Sequence, residues 1–164
     1  MIMTRISKKL TVILFFVLLI AMPCDTASAA SYNLYGNARF GYSIKYPSFF
    51  KRSKPLPQNG DGITMAGKKA KLLMWGGYNV VYGNGKAMRK YQKNCGIKMT
   101  AVKASKRSLY YESKKGKKIT FCYTYFLNGG HISMELTCKK SKKKYFSKIV
   151  RKMMKSMRQN KEFD

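Results

Sequence analysis

From Phe40 onward apolar side chains return at every second position in several short runs, and at three- and four-residue intervals in two others. Phe40, Tyr42, Ile44 and Tyr46 alternate with Gly41, Ser43 and Lys45, the period of a half-buried strand, and Pro47 ends it because its ring removes a ladder donor. Ser48 to Gly62 contains Pro55, Pro57 and the Asn59-Gly60-Asp61-Gly62 cluster, a composition that predicts a loop closing in a tight turn. Ile63 to Ala66 and Lys71 to Tyr78 predict two strands joined by Gly67-Lys68-Lys69, and the unbroken run Leu72-Leu73-Met74-Trp75 predicts that the second is covered on both faces. Gly83-Asn84-Gly85 interrupts the pattern. Between Lys86 and Cys95, the residues Ala87, Met88, Tyr91 and Cys95 fall at helical spacing, with Gly96 standing where a helix terminates. Met99 to Ala104, Ser108 to Glu112 and Lys118 to Leu127 then read as strands, the last two joined by the basic turn Lys114-Lys115-Gly116-Lys117, and Ile132 to Cys138 follows as a fourth. Ser141 is the expected cap of a final helix in which Phe146, Ile149, Val150, Met153 and Met157 make one apolar stripe.

The last hairpin allows a register to be written. Ile119, Phe121, Tyr123, Tyr125 and Leu127 share one face of their strand, and Ile132, Met134, Leu136 and Cys138 share one face of the next. A two-residue Gly129-Gly130 loop of type I′ pairs Asn128 with His131, hence Leu127 with Ile132 and Phe121 with Cys138. Cys122 then points away from Cys138, which argues against a bridge between them and leaves Cys95 as the partner for either.

The first 29 residues obey a different physics. Arg5, Lys8 and Lys9 precede an apolar run from Leu10 to Met22 broken only by Thr11. As a helix that run spans roughly 20 Å, short of the roughly 30 Å hydrocarbon core a permanent anchor crosses. Pro23 ends it, and Ala27-Ser28-Ala29 supplies the small residues a signal peptidase reads, so residues 1–29 are expected to be a signal peptide and 30–164 a single exported domain. Ala21, Met22 and Pro23 before Cys24 do not resemble a lipidation box. No second long apolar run follows, so no transmembrane segment is expected after cleavage.

Composition sharpens the picture chiefly through charge. The 164 residues carry 34 Lys plus Arg against 6 Asp plus Glu, a net +28, and the leader removes only three basic groups and one acidic group. Apolar residues at 45%, aromatics at 13% and 4 prolines exclude a disordered basic tail, a collagen or a low-complexity linker. Three cysteines remain after the leader, an odd number, so at most one bridge forms within a monomer.

Asn37-Ala38-Arg39-Phe40-Gly41-Tyr42-Ser43-Ile44-Lys45-Tyr46-Pro47, followed by Asn59-Gly60-Asp61-Gly62, resembles the opening of exported bacterial domains of the PsbP-like superfamily. The ending, two adjacent strands and a last helix with Tyr145, Ile149, Val150, Met153, Ser156 and Met157, is similar as well, so the likeness covers about Asn37 to Arg158. It implies an α+β fold, a mainly antiparallel sheet with two helices packed against it, and a family of mostly non-enzymatic binding or accessory proteins. The extreme lysine content departs from that pattern.

Candidate chemistry is sparse. Asn59-Gly60-Asp61-Gly62 and Gly83-Asn84-Gly85 read as turns, and neither is followed by a phosphate-loop signature. His131, the single histidine, is expected as an exposed turn residue with no second histidine for a metal site. Asp61, Glu112 and Glu135 are the carboxylates inside the predicted fold and show no catalytic spacing. Neither a catalytic site, nor a metal, nor a cofactor is expected. The distinct signal is the block Lys139, Lys140, Lys142, Lys143 and Lys144, followed by Lys148, Arg151, Lys152 and Lys155 on the polar side of the last helix. Lysines in a first helical turn oppose the helix dipole and repel one another, so folding did not select them. They are the expected polyanion-binding residues of a monomeric protein in the periplasm or outside the cell, docking on anionic envelope components or an acidic protein. Export argues against nucleic acid as partner. The competing readings are a secreted hydrolase using Asp61, Glu112, Glu135 or His131, and a membrane-permeabilising basic protein whose last helix inserts its stripe.

Overall fold

Alternation along the chain becomes pairing across it, and every strand pair among the described residues is antiparallel. The computed structural model describes residues 31–78 and 82–159; the leader expected at 1–29 lies outside them. Strands β1 (Tyr32–Asn37), β2 (Tyr42–Pro47) and β10 (Arg158–Gln159) form a small sheet in the order β1-β2-β10. The larger sheet contains β3 (Lys51–Arg52), β4 (Gly62–Gly67), β5 (Ala70–Tyr78), β6 (Met99–Ala104), β7 (Ser108–Lys115), β8 (Lys118–Phe126) and β9 (Gly130–Lys139), in the order β3-β4-β5-β9-β8-β7-β6. Helix α1 (Gly85–Asn94) follows β5, and α2 (Lys143–Ser156) follows β9 after a single 3-10 turn at Lys140–Lys142.

The period-two pattern sorts the strand residues onto two faces. On one face Leu72, Met74, Ile119, Phe121, Ile132, Met134, Leu136 and Cys138 are buried beneath the stripe of α2, namely Phe146, Ile149, Val150 and Met153, and beneath Tyr42 and Ile44 of the small sheet. On the other face Leu109, Tyr111, Cys122 and Phe126 form a smaller core with Met88 of α1. Helix α1 packs against β6, β7 and β8, and Leu73 and Trp75 of β5 are half-buried. The expectation that both faces of β5 are covered is corrected: Leu72 and Met74 are buried in the main core, and Leu73 and Trp75 on the other face are only half-buried.

Three further expectations change in detail. The first predicted strand begins at Tyr42, because Phe40 and Gly41 form a turn in which the Phe40 N–H donates to Asn37 Oδ1 at 3.1 Å and Gly41 is left-handed (φ 58°). Ser141 does not cap α2. It lies inside the 3-10 turn, and the helix starts after Lys142 without a side-chain cap. In the β8–β9 hairpin the turn residues are Asn128-Gly129, with Leu127 N–H donating to Gly130 C=O at 2.8 Å and only Gly129 left-handed (φ 74°). Moving the turn back by one residue slides the register by two, so Phe121 opposes Leu136 and Ile119 opposes Cys138. A slip of two preserves the face of every side chain, which is why the apolar sets still coincide.

Helix α1 is bounded by local chemistry. Asn84 Oδ1 accepts from Ala87 N–H at 2.9 Å, a side-chain N-cap, and Gly85 must be glycine because a Cβ there would run into the Ser108 carbonyl. At the other end Gly96 is left-handed (φ 74°), its N–H donating to Lys93 C=O and that of Ile97 to Gln92 C=O, a Schellman termination. Gly83-Asn84-Gly85 is thus a capping turn.

Candidate functional site

Strand order decides which lysines meet. Ala70 of β5 opposes Cys138 of β9, Lys139 of β9 opposes Lys118 of β8, and Lys118 opposes Lys115 of β7. The β4–β5 turn (Lys68, Lys69), the β7–β8 turn (Lys114, Lys115, Lys117, Lys118) and the block from Lys139 to Lys144 therefore share one end of the larger sheet, and all these lysines are exposed. The backbone ties two of the segments directly, Lys140 N–H donating to Lys117 C=O at 2.9 Å. Lys115, Lys118 and Lys139 form a cross-strand row on three adjacent strands. Like charges directly opposite one another destabilise a sheet. Helix α2 adds the positive end of its dipole to the same pole, with no acidic residue in its first turn.

Of the nine basic residues expected to bind polyanions, Lys139, Lys140, Lys142, Lys143 and Lys144 lie at this pole, while Lys148, Arg151, Lys152 and Lys155 run along the exposed side of α2 away from it. Lys143 is engaged: its Nζ lies 2.6 Å from Glu112 Oε2, and the same buried carboxylate accepts the Tyr110 hydroxyl at 3.2 Å. Arg151 borders a cavity of about 340 Å³ with Lys103, Tyr110, Glu112 and Met154. Lys152 Nζ sits 5.8 Å from the centre of the Tyr32 ring. Lys68, Lys69, Lys115 and Lys118 were absent from the sequence-based set; their signal was the repeated placement of lysines in hairpin turns, legible only once those turns are known to share an end.

The groups that a catalytic reading would need are dispersed. Asp61 pairs with Arg39 at 2.8 Å and accepts from Asn59 Nδ2, while Asn37 Nδ2 donates to Gly60 C=O at 2.9 Å, so the Asn59-Gly60-Asp61-Gly62 cluster is a braced turn. Glu112 opposes Phe121 and Glu135 opposes Cys122, which puts the two glutamates on opposite faces of the sheet. Burial raises the Glu135 carboxyl, and a hydrogen bond with Cys122 partly offsets it. Burial, followed by the Glu135 charge, pushes the Cys122 thiol up to about 12, and burial alone pushes Cys138 up to about 11, so both are protonated at neutral pH and inert as nucleophiles. Cys95 is exposed, and all three thiols are free. His131 corrects its expectation. The register puts it inside β9, opposite Phe126 and Gly77, where it is 7% exposed among the rings of Tyr82 and Phe126, and burial lowers its pKa. Among the described residues no group of three or more His, Cys, Asp or Glu side chains is placed to hold a metal, and no helix is long and apolar enough to cross a membrane.

An antiparallel sheet with one helix on each face, entered by a small hairpin and closed by a C-terminal helix, is the PsbP-like α+β fold. No family model and no curated protein matches the sequence. Solved structures match in three dimensions. The chain is similar to cyanobacterial PsbP (CyanoP) from Synechocystis sp. PCC 6803, with TM-score 0.57, 12% identity, 82% of this chain and 96% of that one covered. It is similar to the Saccharomyces cerevisiae Ran-binding protein Mog1p, with TM-score 0.55, 8% identity and 80% and 96% coverage. A structure from Bacteroides thetaiotaomicron matches with TM-score 0.53, 10% identity, and 82% of this chain and 50% of that one covered.

Proposed function

We propose that the protein is a non-catalytic binding or accessory module, exported by the leader at 1–29 and acting as a monomer in the periplasm or outside the cell, whose basic pole docks on an anionic envelope component or an acidic partner. The observation that carries this reading is the convergence of lysines from three separate segments on one sheet end, including the directly opposed Lys115, Lys118 and Lys139. Only two ion pairs form among the described residues, and only Lys143 at the pole has a carboxylate partner, so the remaining ammonium groups face solvent and its counterions. A Ran-binding protein built on the same fold supports a binding role for this architecture. The hydrolase reading has Glu112 and Glu135 on opposite faces of the sheet, Asp61 paired with Arg39, and His131 enclosed in β9. The permeabilising reading needs the α2 stripe in the membrane, whereas Phe146, Ile149, Val150 and Met153 are buried against the sheet.

Heparin binding over a salt series tests the proposal. Docking by charge releases counterions, so affinity falls steeply with salt, and Lys115→Gln, Lys118→Gln and Lys139→Gln together reduce the logarithmic slope by about three. Absence of binding at low salt, or an unchanged slope in the triple variant, refutes it.

A further inference from the structure

Beside the pole the chain twice places one aromatic side chain in the core and leaves its neighbour outside. After Pro47 ends β2, Phe50 is 1% exposed in the main core while Phe49 stays 37% exposed, the two rings 4.8 Å apart. At the start of α2, Phe146 is 1% exposed and Tyr145 remains 51% exposed, with rings 5.0 Å apart and edge to face. Between these pairs lies a cavity of about 480 Å³ lined by Phe49, Tyr145, Phe146, Lys68, Lys69 and Lys142. Its walls are aromatic, its polar side-chain groups are ammonium groups together with the Tyr145 hydroxyl, and no carboxylate among the described residues lines it.

A hydrophilic polyanion would satisfy those lysines and leave the rings in water. An acidic protein surface would do the same unless it also offered an apolar patch. An anionic lipid in a bilayer supplies both halves, phosphate for the ammonium groups and the glycerol and upper acyl region for the rings. Aromatic side chains favour that depth, and lysines are held by an anionic leaflet. We propose that this cavity is a bilayer-docking site, with Lys68, Lys69 and Lys142 on the headgroups of anionic phospholipids and Phe49 and Tyr145 entering the interface. The docking rests on the charge reading above and adds an apolar component that a purely ionic contact lacks. It needs no movement of α2, whose stripe stays on the sheet.

Residues 30–164, the exported form proposed above, are the protein to assay. The probes are vesicles of phosphatidylcholine alone, vesicles in which one lipid in three is phosphatidylglycerol, and heparin. Each of Lys68→Gln, Lys69→Gln and Lys142→Gln lowers partitioning onto the anionic vesicles roughly fivefold. Phe49→Ala with Tyr145→Ala lowers it about tenfold and abolishes the part that survives high salt. Because Trp75 is the single tryptophan, Phe49→Trp in a Trp75→Phe background reports insertion directly, by a blue shift with phosphatidylglycerol vesicles and none with heparin. Binding to anionic vesicles without that shift, and unaffected by removing the two rings, overturns the bilayer site and leaves charge docking standing. Binding to heparin but not to vesicles does the same. Failure to bind any probe at low salt removes both.

Discussion

The lysine row offers a test in which stability and function are expected to oppose one another. Lys115 opposes Lys118 and Lys118 opposes Lys139, so two like-charge pairs sit on neighbouring strands with little opposing charge nearby. With the head groups splayed to about 7 Å, each pair repels by about 0.6 kcal/mol in bulk water. Screening leaves about 0.5 kcal/mol per pair at about 10 mM salt and under about 0.1 kcal/mol at about 1 M. Replacing all three by Gln is therefore expected to stabilise the fold by about 1 kcal/mol at low salt, with almost no gain at high salt. Urea unfolding of wild type and variant at the two salt concentrations, with the slope m held common, reads this as a shift in midpoint that vanishes with salt. The same variant is the one expected to lose heparin affinity. A variant no more stable than wild type at low salt, or equally stabilised at high salt, would show that the row costs nothing electrostatically, and the inference that something other than folding retains it would fall.

Gly76→Ala places a Cβ 2.5 Å from the Phe40 ring, so Phe40 is expelled from its seat on β5 and unfolding by denaturant should register a loss of about 1–3 kcal/mol; a neutral result would refute the packing of Phe40 there. His131 has a folded-state pKa below its ordinary 6.5, so its neutral form is the one the fold accommodates: stability is full above that value and falls as pH drops below it toward the folded pKa. Melting temperatures should decline across that window in wild type and decline less in His131→Phe; the opposite ordering would contradict the burial of the ring. Of the three thiols in residues 30–164, only Cys95 is exposed, and an aromatic disulfide reagent at mildly alkaline pH should label one thiol rapidly and the other two only on unfolding. Rapid labelling of a second thiol would place Cys122 or Cys138 at the surface.

Much of the architecture was legible in the residue pattern. The pattern predicts strand β6 with its observed bounds, the α2 stripe lies on the core face, and Gly96 terminates α1. Strands β1, β3 and β10 carry no such signal. The first carries Asn33, Leu34 and Gly36 exposed with no clean alternation, and the other two contain only two residues each. Lys142 begins α2 without a side-chain cap, so there was no capping chemistry to find. The half-buried state of Leu73 and Trp75 depends on what packs over that face of β5, a fact about other segments altogether.

The amino-acid pattern by itself determined which side of each element is apolar, because pleat and helical turn are properties of the backbone and repeat every two or 3.6 residues wherever they occur. It also determined the charge, which no fold can change. Tertiary structure alone decided that Lys68 and Lys69, Lys114 to Lys118 and Lys139 to Lys144 share one end of a sheet, that Glu112 and Glu135 face apart, and that His131 is enclosed. Those outcomes follow from strand order and register, which are set by pairings between residues far apart in the chain and satisfied only when the whole sheet closes on its helices.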